Sequence, residues 1–198
     1  MKKLIFVLML VGLLSVVQGS KDVVELGPYD VSFDLGDLNY TWRFVGLIDG
    51  ETYETYSGLN VTHWTMEISI DNISVCMISG SQYSESVFSE FGDIYDNNIK
   101  YSLGRGMIDM DAITRVVDSK NAVLFVGSYY DGSTIVSTQY ALESDGWLDH
   151  DGRFAAHHWS DLDAVLIGRN FILITIVADW DLTRKLLNTI HVELRDES

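Results

Sequence analysis

The chain has 198 residues, 13 basic and 29 acidic, for a formal charge of −16 at pH 7. So few Lys and Arg exclude nucleic acid and anionic membrane surfaces as partners, because both are held by basic side chains that neutralise phosphate. The length suits one domain with a substantial core, and Cys76, the lone cysteine, excludes an internal disulfide.

Lys2 and Lys3 precede an apolar run from Leu4 to Leu14, and Ser15-Val16-Val17-Gln18-Gly19 follows it. These are the charged, apolar and small-residue parts of a secretory signal. The run is shorter than the roughly 20 residues that cross a bilayer as a helix, so cleavage after Gly19 is expected in preference to anchoring. The chain then divides into a signal peptide, 1–19, and a single globular domain, 20–198, exported to the extracellular space or the cell surface and not inserted in the membrane. Without its first 19 residues the chain keeps 11 basic against 29 acidic residues, a formal charge of −18.

Beyond the signal the chain reads as strands separated by legible turns. Asp49-Gly50 separates Thr41–Ile48 from Glu51–Tyr56, and Asp131-Gly132 separates Ala122–Tyr130 from Ser133–Leu142. A glycine in a two-residue turn readily takes positive φ, so both pairs predict antiparallel hairpins. Asp71-Asn72, between Thr62–Ile70 and Ile73–Ser79, and Arg169-Asn170, between Ala164–Gly168 and Phe171–Val177, predict two more. Ala164–Val177 is apolar on both faces and so predicts central strands. In Ser84–Asn97 the residues Val87, Phe88, Phe91, Ile94 and Tyr95 fall on one helical face, with Ser84 or Ser86 as N-cap. In Asp179–Ile190 the residues Leu182, Leu186 and Ile190 do the same behind Asp179 or Asp181. The expected fold class is α+β, a mainly antiparallel β-sheet flanked by two or more helices. The Gly- and Asp-rich stretch Glu143–Asp163 reads as one long irregular loop.

Two segments carry a resemblance. Glu25-Leu26-Gly27-Pro28-Tyr29-Asp30-Val31-Ser32-Phe33-Asp34-Leu35 and Leu186-Leu187-Asn188-Thr189-Ile190-His191-Val192 resemble those of a group of uncharacterised exported archaeal proteins. The ending also looks like that of PsbP-like domains. The resemblance implies a PsbP-like α/β/α sandwich and a mainly non-catalytic accessory role that holds partners or ions. It assigns no binding residue to this chain.

The residues that could carry chemistry concentrate in the long loop. Asp149, His150, Asp151, His157, His158 and Asp161 are ligand types for Zn or another divalent metal. Adjacent His157 and His158 point to opposite sides of an extended segment, which favours a solvated polar loop and no cofactor. Trp147 and Trp159 in the same loop are the aromatic side chains suited to a sugar platform. Asp145-Gly146 and Asp149–Gly152 lack the third acid and distal Glu of a calcium loop. His63 and His191 read as structural, Cys76 as a buried inert thiol, and Gly104-Arg105-Gly106 as a turn. The motifs Gly-x-Ser-x-Gly and His-Glu-x-x-His and the phosphate-binding loop do not occur. Asn39, Asn60 and Asn72 each begin an Asn-x-Ser/Thr sequon and are candidate glycan acceptors in an exported chain. The expected function is an exported non-catalytic accessory or binding domain whose partner is a protein, an ion or a glycan. A metal-binding protein or metal-dependent enzyme centred on residues 143–163, and a glycan-binding surface domain, are the alternatives.

Overall fold

The computed structural model describes residues 15–17, 22–55, 58–90, 107–129, 131–148 and 165–195. In chain order the strands are β1 (Ser15–Val17), β2 (Asp22–Leu26), β3 (Tyr29–Phe33), β4 (Tyr40–Val45), β5 (Glu51–Glu54), β6 (Asn60–Ile70) and β7 (Ile73–Glu90). They continue as β8 (Met107–Val117), β9 (Lys120–Tyr129), β10 (Thr134–Ala141), β11 (Ser144–Leu148) and β12 (Val165–Ala178), followed by helix α1 (Trp180–Thr189) and β13 (His191–Leu194). Every described pairing is antiparallel. A ten-stranded sheet runs β1-β4-β6-β7-β12-β10-β9-β8, with β5 also on β6 and β11 also on β12, and a second sheet runs β13-β3-β2.

Local turn chemistry accounts for two of the predicted reversals. Asp71 and Asn72 take φ of 51° and 63° between β6 and β7, the left-handed pair that a two-residue hairpin of this twist requires. Asp131-Gly132 joins β9 to β10, with the Asp131 carboxylate accepting from Ser133 N at 2.9 Å. The other two predicted hairpins do not form. The chain turns at Asp49-Gly50, where Gly50 N donates to Leu47 O at 3.1 Å, but it then resumes its former direction. Both β4 and β5 pair with β6, Val45 opposite Thr65 and Glu51 opposite His63, so they lie end to end along one edge. Arg169-Asn170 stays inside β12, where the pairing to β7 shifts register between Gly168 and Asn170.

Two further expectations are corrected. The sandwich flanked by two or more helices is replaced by a sheet-dominated fold in which α1 is the one helix among the described residues. Ser84 to Glu90 continue β7, with Val87 opposite Gly168 and Glu90 opposite Val165, and 91–97 lie outside the described residues. The apolar spacing there fits a helical face, yet the first part of β12 offers a full backbone partner, and that non-local pairing decides the outcome. The predicted loop Glu143–Asp163 begins with strand β11, paired with Val165–Gly168, and 149–164 lie outside the described residues. The predicted helix at the C-terminal end does form: Asp179 caps α1, its carboxylate accepting from Asp181 N and Leu182 N at 2.9 Å each.

One face of the large sheet carries the core. Alternation along the strands turns Trp64, Met66 and Ile68 of β6, Cys76 and Ile78 of β7, Ile172, Ile174 and Ile176 of β12, and Val136 and Tyr140 of β10 to this face, all buried. The small sheet and α1 cover it with Val24, Leu26, Tyr29, Val31, Phe33, Leu186 and Val192. Gly80 is the point where the layers interlock. It stands opposite Trp64 on one side and Ile172 on the other, and a Cβ there would overlap the Tyr29 ring. The missing side chain is the socket for Tyr29, whose hydroxyl donates to Asn170 Oδ1 at 3.3 Å and whose ring meets Trp64 edge to face at 5.9 Å.

Gly80→Ala is therefore expected to destabilise the fold by about 1–3 kcal/mol, the range for forcing an extra group into a packed core. Denaturant unfolding against Gly132→Ala checks it, since nothing lies within 4 Å of a Cβ at Gly132, whose φ of +84° supplies a backbone-strain control.

Candidate functional site

The loop donors Asp149, His150, Asp151, His157, His158 and Asp161, together with Trp159 and Gly104-Arg105-Gly106, lie outside the described residues. Trp147 is in β11, not in an irregular loop. Among the described residues no group of three or more His, Cys, Asp or Glu is placed to hold a metal ion. Asn39, Asn60 and Asn72 are all exposed, before β4, at the first residue of β6 and in the β6–β7 turn. Cys76 is 1% exposed, and burial pushes its thiol far above the usual range, as an inert core residue requires.

His63 lies on the opposite face of the sheet from the core, between two hydroxyls. Its Nδ1 is 2.7 Å from Ser81 Oγ on β7, and its Nε2 bonds the Tyr53 hydroxyl on β5. The Tyr53 and His63 rings also stack, with centroids 5.0 Å apart. Burial lowers the His63 pKa, and Glu51 pulls less strongly the other way. A serine hydroxyl on an imidazole is the first half of a nucleophile and base pair, but here a phenol takes the place where a carboxylate would stabilise the imidazolium. Burial raises the Tyr53 pKa, so that phenol stays neutral, and a base of lowered pKa is a weak one. The cluster ties β5, β6 and β7 together across the sheet.

Asp118, which sequence reasoning did not single out, organises the densest polar cluster among the described residues. With Ser119 it forms the β8–β9 turn at φ of 50° and 60°, and its side chain is only 5% exposed. Oδ2 accepts from Lys120 Nζ at 2.8 Å, Val192 N at 3.0 Å and Tyr140 OH at 3.3 Å, while Oδ1 lies 2.5 Å from His191 Nδ1. Burial alone would raise the Asp118 carboxyl, but the hydrogen bonds from Lys120, Val192 and His191 outweigh it and hold the group below the usual carboxylate range. His191 and Val192 belong to β13, so this carboxylate fastens the small sheet to the far end of the large one. The turn lacks glycine and proline, and of its partners Lys120 is two residues away, whereas Tyr140 is 22 and His191 and Val192 more than 70 residues away along the chain. No local pattern marks it.

The exposed apolar residues are mostly isolated, as on any protein surface. The exception is the excursion between β4 and β5, where Leu47 and Ile48 are each 63% exposed and Val45 before them is 40% exposed. Its shape comes from the core face. Gly50, at φ +82°, lies so close to the Trp64 indole that a Cβ would stand 2.5 Å from Nε1, and Gly50 N closes the turn on Leu47 O. A buried tryptophan thus supports a tip of adjacent aliphatic side chains in an acidic protein. The tip adjoins the edge of the large sheet, where β1 pairs with β4 at Ser15–Trp42, Val16–Thr41 and Val17–Tyr40.

No family model, curated protein or solved structure matches the chain.

Asp118→Asn is expected to cost about 2–4 kcal/mol at pH 7, because it leaves charged and backbone donors facing a neutral amide in a buried site. The carboxyl has a lower pKa folded than unfolded, so its contribution is present above the unfolded value near 3.9 and disappears as pH falls through the folded value. Unfolding curves for the two proteins should converge below about pH 4, and a constant difference down to pH 2 would contradict the assignment.

Proposed function

We propose that the chain is an exported, non-catalytic binding domain that meets a partner protein through the Leu47-Ile48 tip and the β4 edge beside it. The tip carries the proposal. Two neighbouring aliphatic side chains, each 63% exposed, stand on a turn packed against Trp64, and contiguous apolar surface of this kind marks an interaction site where scattered residues do not. Export is supported by the charged start and short apolar run of residues 1–19 and by the exposure of all three sequon asparagines. Among the described residues no helix is long and apolar enough to cross a membrane. A protein partner suits the tip better than a sugar, since aliphatic side chains offer neither the flat aromatic face nor the hydrogen bonds that hold a sugar.

A photo-crosslinking side chain at position 47 or 48 is expected to yield one defined adduct in the producing cells. The same group at Val116, which is 62% exposed at the other end of the sheet, should yield none. Leu47→Asp with Ile48→Asp should abolish the adduct obtained from position 45 while changing stability by about 0.5 kcal/mol or less, as surface substitutions do. Equal labelling from positions 47 and 116, or loss of folding in the double variant, would remove the basis for the tip. Mass spectrometry of the exported protein should find an N-terminus near Ser20.

A further inference from the structure

We propose that β1 is a placeholder: removal of residues 1–19 opens the outer edge of β4 as an acceptor for an extended, uncharged, β-branched strand of a partner protein. This rests on the export reading and specifies how the partner is held.

The geometry points to strand addition for three reasons. The edge on which β1 sits is two strands in line, and they are protected differently. In β5 the residues Glu51, Thr52, Tyr53 and Glu54 are all exposed, and the acids guard that stretch against pairing. In β4, Tyr40 to Val45 carry a single charge, Arg43, whose guanidinium is committed to Glu67 Oε2 at 2.7 Å and 2.9 Å. β4 thus has only this one, ion-paired charge to set against pairing, and its cover is a segment that precedes the expected cleavage point.

The occupant now present shows what the edge takes. β1 reads Ser-Val-Val, uncharged and with two β-branched valines, and it runs antiparallel to β4. Among the described residues it reaches only Tyr40 to Trp42, and no strand pairs with the same side of Arg43, Phe44 and Val45. A segment in the same register but three residues longer at its N-terminal end would run beside Arg43 to Val45 and arrive at Leu47 and Ile48. Main-chain pairing along six residues and apolar contact at the tip then act together, which is how an extended peptide gains affinity and specificity at a sheet edge.

Charge selects between a foreign strand and a second copy. Each exported chain carries a formal −18, so pairing two β4 edges brings two strongly acidic domains together, whereas a neutral or basic partner meets no such repulsion.

The test uses the protein as exported, with its N-terminus determined, and a synthetic peptide of sequence Gly-Leu-Leu-Ser-Val-Val, corresponding to residues 12–17. Backbone hydrogen exchange of those amides in Thr41 to Val45 that do not bond β6 is expected to be fast in the free protein and to slow at least tenfold at saturating peptide. A peptide with proline in place of the first valine should give no protection, because proline removes an edge donor. An N-terminus still at Met1 overturns the export reading itself. With the N-terminus near Ser20, four results overturn the acceptor edge: slow exchange of the outward β4 amides without peptide, no protection of them by the peptide, equal protection by the proline peptide, or a dimer in native mass measurement.

Discussion

The two layers are held in register by the seat of Tyr29 on Gly80. A tyrosine from the small sheet occupies the space that any side chain at position 80 would fill, and its ring is thereby fixed against Trp64 while its hydroxyl reaches Asn170. Strands β3, β6, β7 and β12 meet at that point. An edge-to-face aromatic pair contributes about 0.5–1.5 kcal/mol beyond burial, but its larger effect here is on position. Trp64 is pinned on one side by Tyr29 and lies against Gly50 on the other, so the excursion carrying Leu47 and Ile48 is located by the same contact that joins the layers.

The far end of the two layers is joined by different physics. Asp118 is a carboxylate at 5% exposure that would be costly to bury alone, and it is tolerated because ammonium, imidazole, phenol and backbone donors converge on its two oxygens. Lys120 also lies 5.4 Å from the Tyr140 ring centroid and donates to Val192 O at 3.4 Å, so the ion pair is embedded in contacts to both sheets. Apolar interlocking at Gly80 sets the fit of the layers, and directional bonds at Asp118 set their orientation. Between these points α1 adds Lys185 Nζ donating to Leu35 O at 2.6 Å and Thr183 Oγ1 within 3.1 Å of Thr134 Oγ1.

The large sheet is assembled from two antiparallel groups, β4-β6-β7 and β10-β9-β8, which β12 joins by entering between β7 and β10. That central place suits the apolar or β-branched residues from Phe171 to Val177: both edges are paired, Phe171, Ile172, Ile174 and Ile176 are buried, and Leu173, Thr175 and Val177 are half-buried. Closing the middle in this way sends every problem of unpaired backbone to the outer strands. β5 meets it with acidic side chains, and β4 with a strand from the segment that resembles a signal peptide. If residues 1–19 are removed on export as proposed, the β4 edge they cover would lie next to the exposed apolar tip in one stretch of chain.

Residues 71–72 and 131–132, the α1 cap at Asp179, the burial of Cys76 and the central character of β12 were legible in the amino-acid sequence, because each depends on neighbours within a few positions. Positive φ in a short turn, a carboxylate before a helix and a continuous apolar run are local physics, and they determine strands, reversals and one helix without knowledge of the fold. Tertiary structure decided the rest. Val87 and Phe88 satisfy a helical spacing and a strand equally well, and the partner backbone of β12 makes them strand. Asp49-Gly50 specifies a turn, but whether the next segment folds back on β4 or continues along β6 depends on the lateral room that β6 offers. A sequence window around Asp118 shows only Lys120, since its other partners come from β10 and β13. Pairing partners and converging side chains lie far apart along the chain, and only the packed structure brings them within bonding distance.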